Sequence, residues 1–251
     1  MGKAEASQGR FQGLRAAFVN CSLKAQAAES HTATLMRHAA AVMEAQGVAV
    51  DLVHAREHQI AFGMSPDMTE HGAERDDWPA LFKRIMQAEI LVIGTPIWLG
   101  VKSSVCTLLV ERLYSNSSQK NDRGQYVYYG KTGGCLVTGN EDGVKAVAME
   151  VLYALQHIGY VIPPAADAGW IGEAGPGPSY GDSTDDGIVP TGFDNEFTNR
   201  NTTIMCFNLM HIALLLRDAK GFPTLGNQVG SFDSEHRLGY PLDAKGRPVQ
   251  V

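Results

Sequence analysis

Apolar residues along this chain fall into two alternating rhythms. Short aliphatic runs at residues 14–21 (LRAAFVNC), 48–53, 90–94 (ILVIG) and 131–138 (KTGGCLVT) read as strands. Between them, apolar positions recur every three or four residues, as on one face of a helix. Residues 31–46 place Leu35, Ala39, Val42 and Met43 on such a face, and Gly47 ends it. Residues 77–88 form the next helix, with Pro79 accommodated in its first turn. Residues 102–114 align Val105, Leu108, Leu109 and Leu113. A third stripe runs through Val144, Val147, Ala148, Val151, Leu152 and Leu155. A last strand begins at 160–162 and continues at 168–171, and residues 196–217 close the pattern as a helix.

The order is strand then helix, five times over. Such alternation predicts an α/β fold with a parallel sheet covered on both faces, and 90–94 is apolar throughout, as a strand buried on both faces must be. Five units make a doubly wound open sheet; a closed eightfold barrel needs three more.

Four segments stand outside the repeat. Residues 1–13 carry no apolar stretch of signal-peptide type and read as a flexible tail, leaving 14–218 as the domain. Residues 55–76 are polar; with His54, His58 and His71 nearby a metal site is conceivable, but a surface insertion is the simpler reading. Residues 172–195 are dense in Gly, Pro and Asp and too long for a passive connection, which suggests a lid or an interface loop. Residues 219–251 have no periodic stripe and read as an extended tail, wrapped on a neighbouring subunit.

In an open parallel sheet, ligands bind beyond the carboxyl ends of the strands, where strand order reverses. The loops after the first, third and fourth strands therefore matter most. The first holds Ser22, Lys24, Ser30 and Thr32 ahead of a helix N-terminus, a combination suited to a phosphate. Capping alone explains Ser30; it does not explain Lys24. The second, Thr95 to Ser104, sets Trp98 between Pro96 and Gly100, where an aromatic side chain walls a flat ligand unless it fills a gap in the core. Ser103 or Ser104 caps the helix that follows. The third runs from Thr138 to Gly143, and its glycines let backbone approach a ligand closely; Asn140 and Asp142 serve either as ligand contacts or as helix caps. No GxGxxG and no GxxxxGK[ST] is present, which removes support for a dinucleotide fingerprint and a triphosphatase loop.

Composition narrows the classes further. Twenty-one basic against 27 acidic residues give a net charge of -6, so nucleic acid is not an expected partner. No apolar run is long enough to span a membrane. Cys21, Cys106, Cys135 and Cys206 form no CxxC or zinc pattern, which fits reduced packing thiols in a cytoplasm and neither a redox pair nor a metal site.

Taken together, CSLK and SHT (21–32), GTPIWLG with Ser103 and Ser104, then GNEDG (139–143), followed by GYVIP and GWIGEAG, resemble the NADPH-dependent FMN reductase group of the flavodoxin-like superfamily. The resemblance covers residues 14 to 218 and implies a five-stranded sheet of order 2-1-3-4-5. It implies non-covalent FMN, its phosphate at Ser22, Lys24, Ser30, His31 and Thr32. The ring then lies against Pro96, Ile97, Trp98, Leu99, Gly100, Thr138, Gly139, Asn140, Glu141, Asp142 and Gly143. The Ala-rich stretch Lys24 to Glu29 departs from the group's usual Pro or Ser, and the tail has no counterpart in it. The implied activity is an FMN-dependent oxidoreductase passing hydride from NADPH or NADH to a quinone, a free flavin or another small acceptor, assembled as a homodimer or homotetramer. No catalytic acid or base is assigned, because a flavin carries the chemistry itself. The rival classes are a flavodoxin-type electron carrier to protein partners, which should be more acidic, and a flavin-free scaffold of the same fold.

Overall fold

The computed structural model describes residues 9–175, 177–184, 187–232, 239, 241–247 and 249. Its core is a parallel sheet of β1 (Arg15–Asn20), β2 (Ala49–His54), β3 (Ile90–Trp98), β5 (Thr132–Gly139) and β6 (Asp167–Ile171), in spatial order β2-β1-β3-β5-β6. The two-residue β4 (Val101–Lys102) folds back antiparallel on the end of β3. Setting that short strand aside, the order is the 2-1-3-4-5 expected from the resemblance. The chain steps outward from β1 to β2, then crosses back to β3 on the other side of β1, so strand order reverses between β1 and β3.

Strand alternation divides the interior into two layers. Ala17 and Val19 of β1, Leu91 and Ile93 of β3, and Cys135 and Val137 of β5 face one layer. It is covered by α2 (Trp78–Met86), α3 (Ser104–Ser115) and α4 (Val144–Ile158). Ala16, Phe18, Ile90, Val92 and Leu136 face the other, under α1 (His31–Glu44) and α5 (Glu196–Asp218). Ser30, Ser103 and Asn195 cap α1, α3 and α5 by accepting from the backbone N–H of Ala33, Cys106 and Thr198. At Gly94 a Cβ would lie 2.2 Å from Met36 Sδ, so only glycine lets α1 sit this close over β3.

The structure differs from the expected elements in four places. The third strand does not stop at residue 94 but runs on to Trp98, because Gly94 to Pro96 pair with β5. Residues 160–162 do not open the last strand; Val161 makes one isolated bridge to Thr132, and the strand itself is Asp167–Ile171. The expected tail 1–13 ends earlier than residue 13, since Phe11 is buried, with its ring edge-on to His211 at 5.1 Å and to Phe207 at 6.3 Å. Residues 1–8 lie outside the described residues. Finally, the start of the C-terminal segment packs on its own chain. Gln125 Nε2 donates to Pro223 O at 2.9 Å and to Asn227 Oδ1 at 2.8 Å, and Phe222 meets Tyr129 edge-on. No neighbouring subunit is needed to hold that stretch.

The 55–76 insertion is fastened by a buried ion pair. Arg112 Nη2 on α3 lies 2.6 Å from Asp76 Oδ2, with neither side chain exposed. Asp76 also accepts from the backbone N–H of Ala61, Met68 and Trp78, and Arg112 Nη1 donates to Gly63 O. A carboxylate with this many donors is fully compensated for leaving water. Removing one partner strands the other charge in the interior. Asp76→Ala should therefore lower stability by about 3–5 kcal/mol, read as a shift of the urea midpoint at unchanged slope. A loss under about 1 kcal/mol would show that the insertion is held by something else.

Candidate functional site

A cleft of about 740 Å³ opens at the carboxyl edge of the sheet, above the β1/β3 reversal. The sheet order lays its walls side by side. The loop after β1 supplies Ser22, Leu23 and Lys24, with His31 and Thr32 from the start of α1. The end of β3 supplies Pro96, Ile97 and Trp98. The end of β5 supplies Thr138, Gly139, Asn140 and Glu141. Adjacent strands are about 4.8 Å apart, so the β1 and β5 loops face each other across roughly 10 Å, with the β3 loop between them.

The first wall is built on Asn20, the last residue of β1. Its Nδ2 donates to Ser30 Oγ at 3.1 Å and lies 3.0 Å from His54 Nδ1, while its Oδ1 accepts from Ser22 N at 3.1 Å. Ser22 Oγ in turn accepts from Lys24 N at 3.2 Å. These bonds turn the loop so that the Lys24 side chain borders the cleft beside the N-terminus of α1. The first N–H groups of a helix have no acceptor within it, and His31 and Thr32, the first two residues of α1, line this wall. Thr32 Oγ1 and Thr138 Oγ1 meet at 2.7 Å and tie the wall to β5.

The second and third walls are joined to each other. Leu99 and Gly100 make the two-residue turn between β3 and β4 with φ of 52° and 77°, the all-positive backbone that a tight hairpin of this kind demands. Leucine rarely takes this conformation, and here its side chain is 92% exposed. Its N–H donates to Glu141 Oε1 at 2.9 Å, and a Cβ on Gly143 would lie 2.8 Å from Gly100 O.

The fourth wall comes from the end of β6 and the segment after it. Trp170, Gly175, Ser179 and Tyr180 line the cleft. Asn140 Nδ2 donates to Pro178 O at 2.9 Å and to Gly177 O at 3.2 Å, and Ser179 Oγ donates to Asn140 Oδ1 at 3.0 Å. His31 Nδ1 donates to Tyr180 O at 3.0 Å, and the Tyr180 hydroxyl lies 2.8 Å from His38 Nδ1. Burial pushes the Tyr180 phenol up to about 12 and draws the His38 pKa down, so this contact joins a protonated phenol to a neutral imidazole at neutral pH.

Most of the residues expected at the site thus share one cleft, with five exceptions. Ser30 is buried and its hydroxyl is consumed by the α1 cap and Asn20. Leu99, Gly100, Asp142 and Gly143 shape the turns behind the walls and do not line the cleft. Capping does not account for Asn140 or Asp142, because α4 is capped by Gly143 with no side-chain bond. Trp98 is no core residue, since half of it is exposed. Trp170 went unrecognised although it nears the carboxyl end of the last strand; extending the strand-end rule to that strand finds it. Tyr180 sits in an aperiodic loop and has no local signal. The four thiols are buried and unpaired, and burial raises Cys21 and Cys135 well above the usual thiol range and Cys206 to about 12. That opposes the thiolate that redox chemistry requires.

The sequence pattern of the family described as NADPH-dependent FMN reductase matches residues 14–170. A Mycobacterium bovis protein named divalent metal cation transporter MntH is 59% identical over 208 residues, which is 83% of this chain. The chain spans only 30% of that protein's length. The 8-demethyl-8-aminoriboflavin-5'-phosphate synthase of Streptomyces davaonensis is 33% identical over 82% of this chain and 79% of its own. A crystal structure of RosB with the bound intermediate 8-demethyl-8-formylriboflavin-5'-phosphate superposes with a TM-score of 0.73. It is 32% identical and covers 85% of this chain and 84% of that one.

The exposure of Trp98 sets an expectation. Trp98→Ala should change the unfolding free energy of the ligand-free protein, read from its denaturant midpoint, by no more than about 1 kcal/mol, where a core tryptophan would cost about 3–5 kcal/mol. The same substitution should weaken binding of a flat aromatic ligand by up to about tenfold. Loss of stability with affinity unchanged would place Trp98 in the packing and not in the cleft wall.

Proposed function

This chain belongs to the NADPH-dependent FMN reductase family, and from that premise we propose that it is an FMN-dependent oxidoreductase drawing on NADPH or NADH and reducing a small acceptor such as a quinone or a free flavin. One observation carries the reading: a single cleft joins a cationic, donor-rich end at Lys24 and the α1 N-terminus to a slot walled by Trp98 and Trp170. A molecule with a phosphate at one end and a flat ring at the other matches both halves. Bound FMN supplies the hydride and electron chemistry.

The work of the chain's own residues is to hold and enclose. The Lys24 ammonium, the Ser22 hydroxyl and the first N–H groups of α1 receive the phosphate, where the helix dipole favours negative charge. Pro96, Ile97 and Trp98 on one side, and Thr138 to Glu141 on the other, bound the ring. Ser30 sets the helix start from beneath, while Leu99, Gly100, Asp142 and Gly143 hold the two ring-side loops in register. Trp98 and the 177–180 segment narrow the mouth and limit water.

A second reading draws on the Streptomyces davaonensis relative and the RosB complex, whose names describe a riboflavin phosphate skeleton being transformed. The same cleft would then hold the flavin phosphate as substrate. Metal transport belongs to the name of the longer Mycobacterium bovis protein. Among the described residues of this chain, no helix is long and apolar enough to cross a membrane. The buried, unpaired thiols favour a reducing compartment such as the cytoplasm. The exposed Trp98, Leu99 and Val101 at the rim favour a homodimer or homotetramer.

The purified protein should be yellow, release FMN on heating, and oxidise NADPH or NADH in the presence of quinones or free flavin. Mass spectrometry of the flavin after turnover separates the two readings: an unchanged mass supports the cofactor role, a changed ring the substrate role. No flavin even after added FMN would refute both. Lys24→Ala should weaken FMN binding by about 1.5–3 kcal/mol, less if solvent screens the contact, with the largest effect at low salt. An equal loss for riboflavin would mean that Lys24 does not meet the phosphate.

A further inference from the structure

His54 is the last residue of β2 and stands in register beside Asn20, the last residue of β1. It is almost wholly buried, yet both ring nitrogens are used. Nε2 lies 2.8 Å from Lys24 O, and Nδ1 lies 3.0 Å from Asn20 Nδ2. A carbonyl only accepts, so Nε2 carries the proton and donates. The Asn20 amide is oriented by Ser22, whose N–H must meet Oδ1 and not Nδ2, so Asn20 presents a donor and Nδ1 accepts it. The ring donates at Nε2 and accepts at Nδ1, bridging the end of the sheet to the backbone of the first wall.

The consequence falls on Lys24. Its N–H is held by Ser22 Oγ and its carbonyl by His54, so both main-chain polar groups are committed and only the side chain is left to border the cleft. The loop after β1 has no ladder partner of its own at this point; the imidazole does what a neighbouring strand would do. The 55–76 insertion begins one residue later, yet His54 turns to the ligand loop and not to a metal site with His58 and His71.

We propose that His54 is a positioning residue for anion recognition. Through the Lys24 carbonyl and Asn20 it fixes residues 22–24 in the shape that receives a phosphate, and it thereby sets the preference for flavin phosphate over unphosphorylated flavin. The inference rests on the reading above that this loop takes the FMN phosphate. A loop ordered in advance binds without losing conformational freedom at that moment. A loop without this bridge must be ordered by the ligand, and only a ligand bearing the phosphate bears that cost.

The test compares His54→Gln with His54→Asn in the full chain stripped of flavin. The amide N–H of glutamine reaches the place of Nε2 and retains the bond to Lys24. The shorter asparagine reaches only the place of Nδ1 and loses it. Dissociation constants for FMN and riboflavin come from quenching of flavin fluorescence, with the denaturant midpoint of each variant measured alongside. The expected result is about a tenfold fall in the FMN-to-riboflavin preference for His54→Asn, with riboflavin affinity unchanged and most of the preference restored in His54→Gln. Two results would overturn the inference: both variants keeping the wild-type preference, or both losing affinity equally for the two flavins as the midpoint falls. A wild-type protein that binds riboflavin as tightly as FMN would instead refute the phosphate reading itself, before any variant is compared.

Discussion

A parallel sheet covered by helices on both faces leaves room for polar chemistry at its rims, and every strand of such a sheet runs toward the same rim. Ala17, Val19, Leu91, Ile93, Cys135 and Val137 fill one layer, and Ala16, Phe18, Ile90, Val92 and Leu136 fill the other. None of these positions can accept an uncompensated donor or charge without a cost of several kcal/mol. The residues able to hold a ligand are therefore gathered at the carboxyl ends of β1, β3, β5 and β6. The crossing between β1 and β3 opens a gap there that no connection covers.

What the sheet cannot do is fix the loops that wall this gap, because they lie beyond its ladder. Buried polar side chains take over. Asn20 makes three contacts with Ser22, Ser30 and His54, Thr32 bonds Thr138, and Asn140 grips the carbonyls of Gly177 and Pro178. Ser103 caps α3 and also donates to Cys21 O at 2.7 Å. Each is a short polar side chain at a strand end or helix start, with its donors and acceptors used on backbone or on another such side chain. The outcome is a cleft whose shape is set before any ligand arrives, the condition under which binding energy is not spent on ordering. The strained turn at Leu99 belongs to the same scheme, since the Glu141 carboxylate accepts its N–H and joins two walls.

Away from the cleft, the same logic secures the rest. The 55–76 insertion buries few apolar side chains, with Phe62 and Met64 left exposed, and the buried Arg112–Asp76 pair with its backbone donors holds it against α3. At the opposite rim, Lys131 Nζ donates to Met86 O and Ala88 O at the end of α2. Burial draws the Lys131 pKa down, and the carbonyls of a helix C-terminus suit the charge that remains.

The order of strands and helices was written in the chain itself, because the two apolar periods differ and a parallel strand buried on both faces, such as 90–94, reads as unbroken apolar sequence. The same is true of the loops after β1, β3 and β5, since parallel topology sends every strand end to one rim and Lys24, Trp98 and the 139–143 glycines stand at those ends. Tertiary structure alone decided which polar residues face the cleft and which support it from behind. Ser30 and Lys24 share one loop, yet Asn20 draws the first into the interior while the second borders the opening. Tyr180 joined the site only through a long aperiodic segment whose path depends on Asn140, 40 residues away in sequence, whereas Trp170 came with β6, paired to Thr138 of β5. His54 reads as part of a polar insertion until β2 is laid beside β1, when register places it against Asn20. Local propensity and periodicity act over a few residues, whereas these assignments depend on hydrogen bonds between segments 30 to 149 positions apart. Such partners meet only after the sheet has formed.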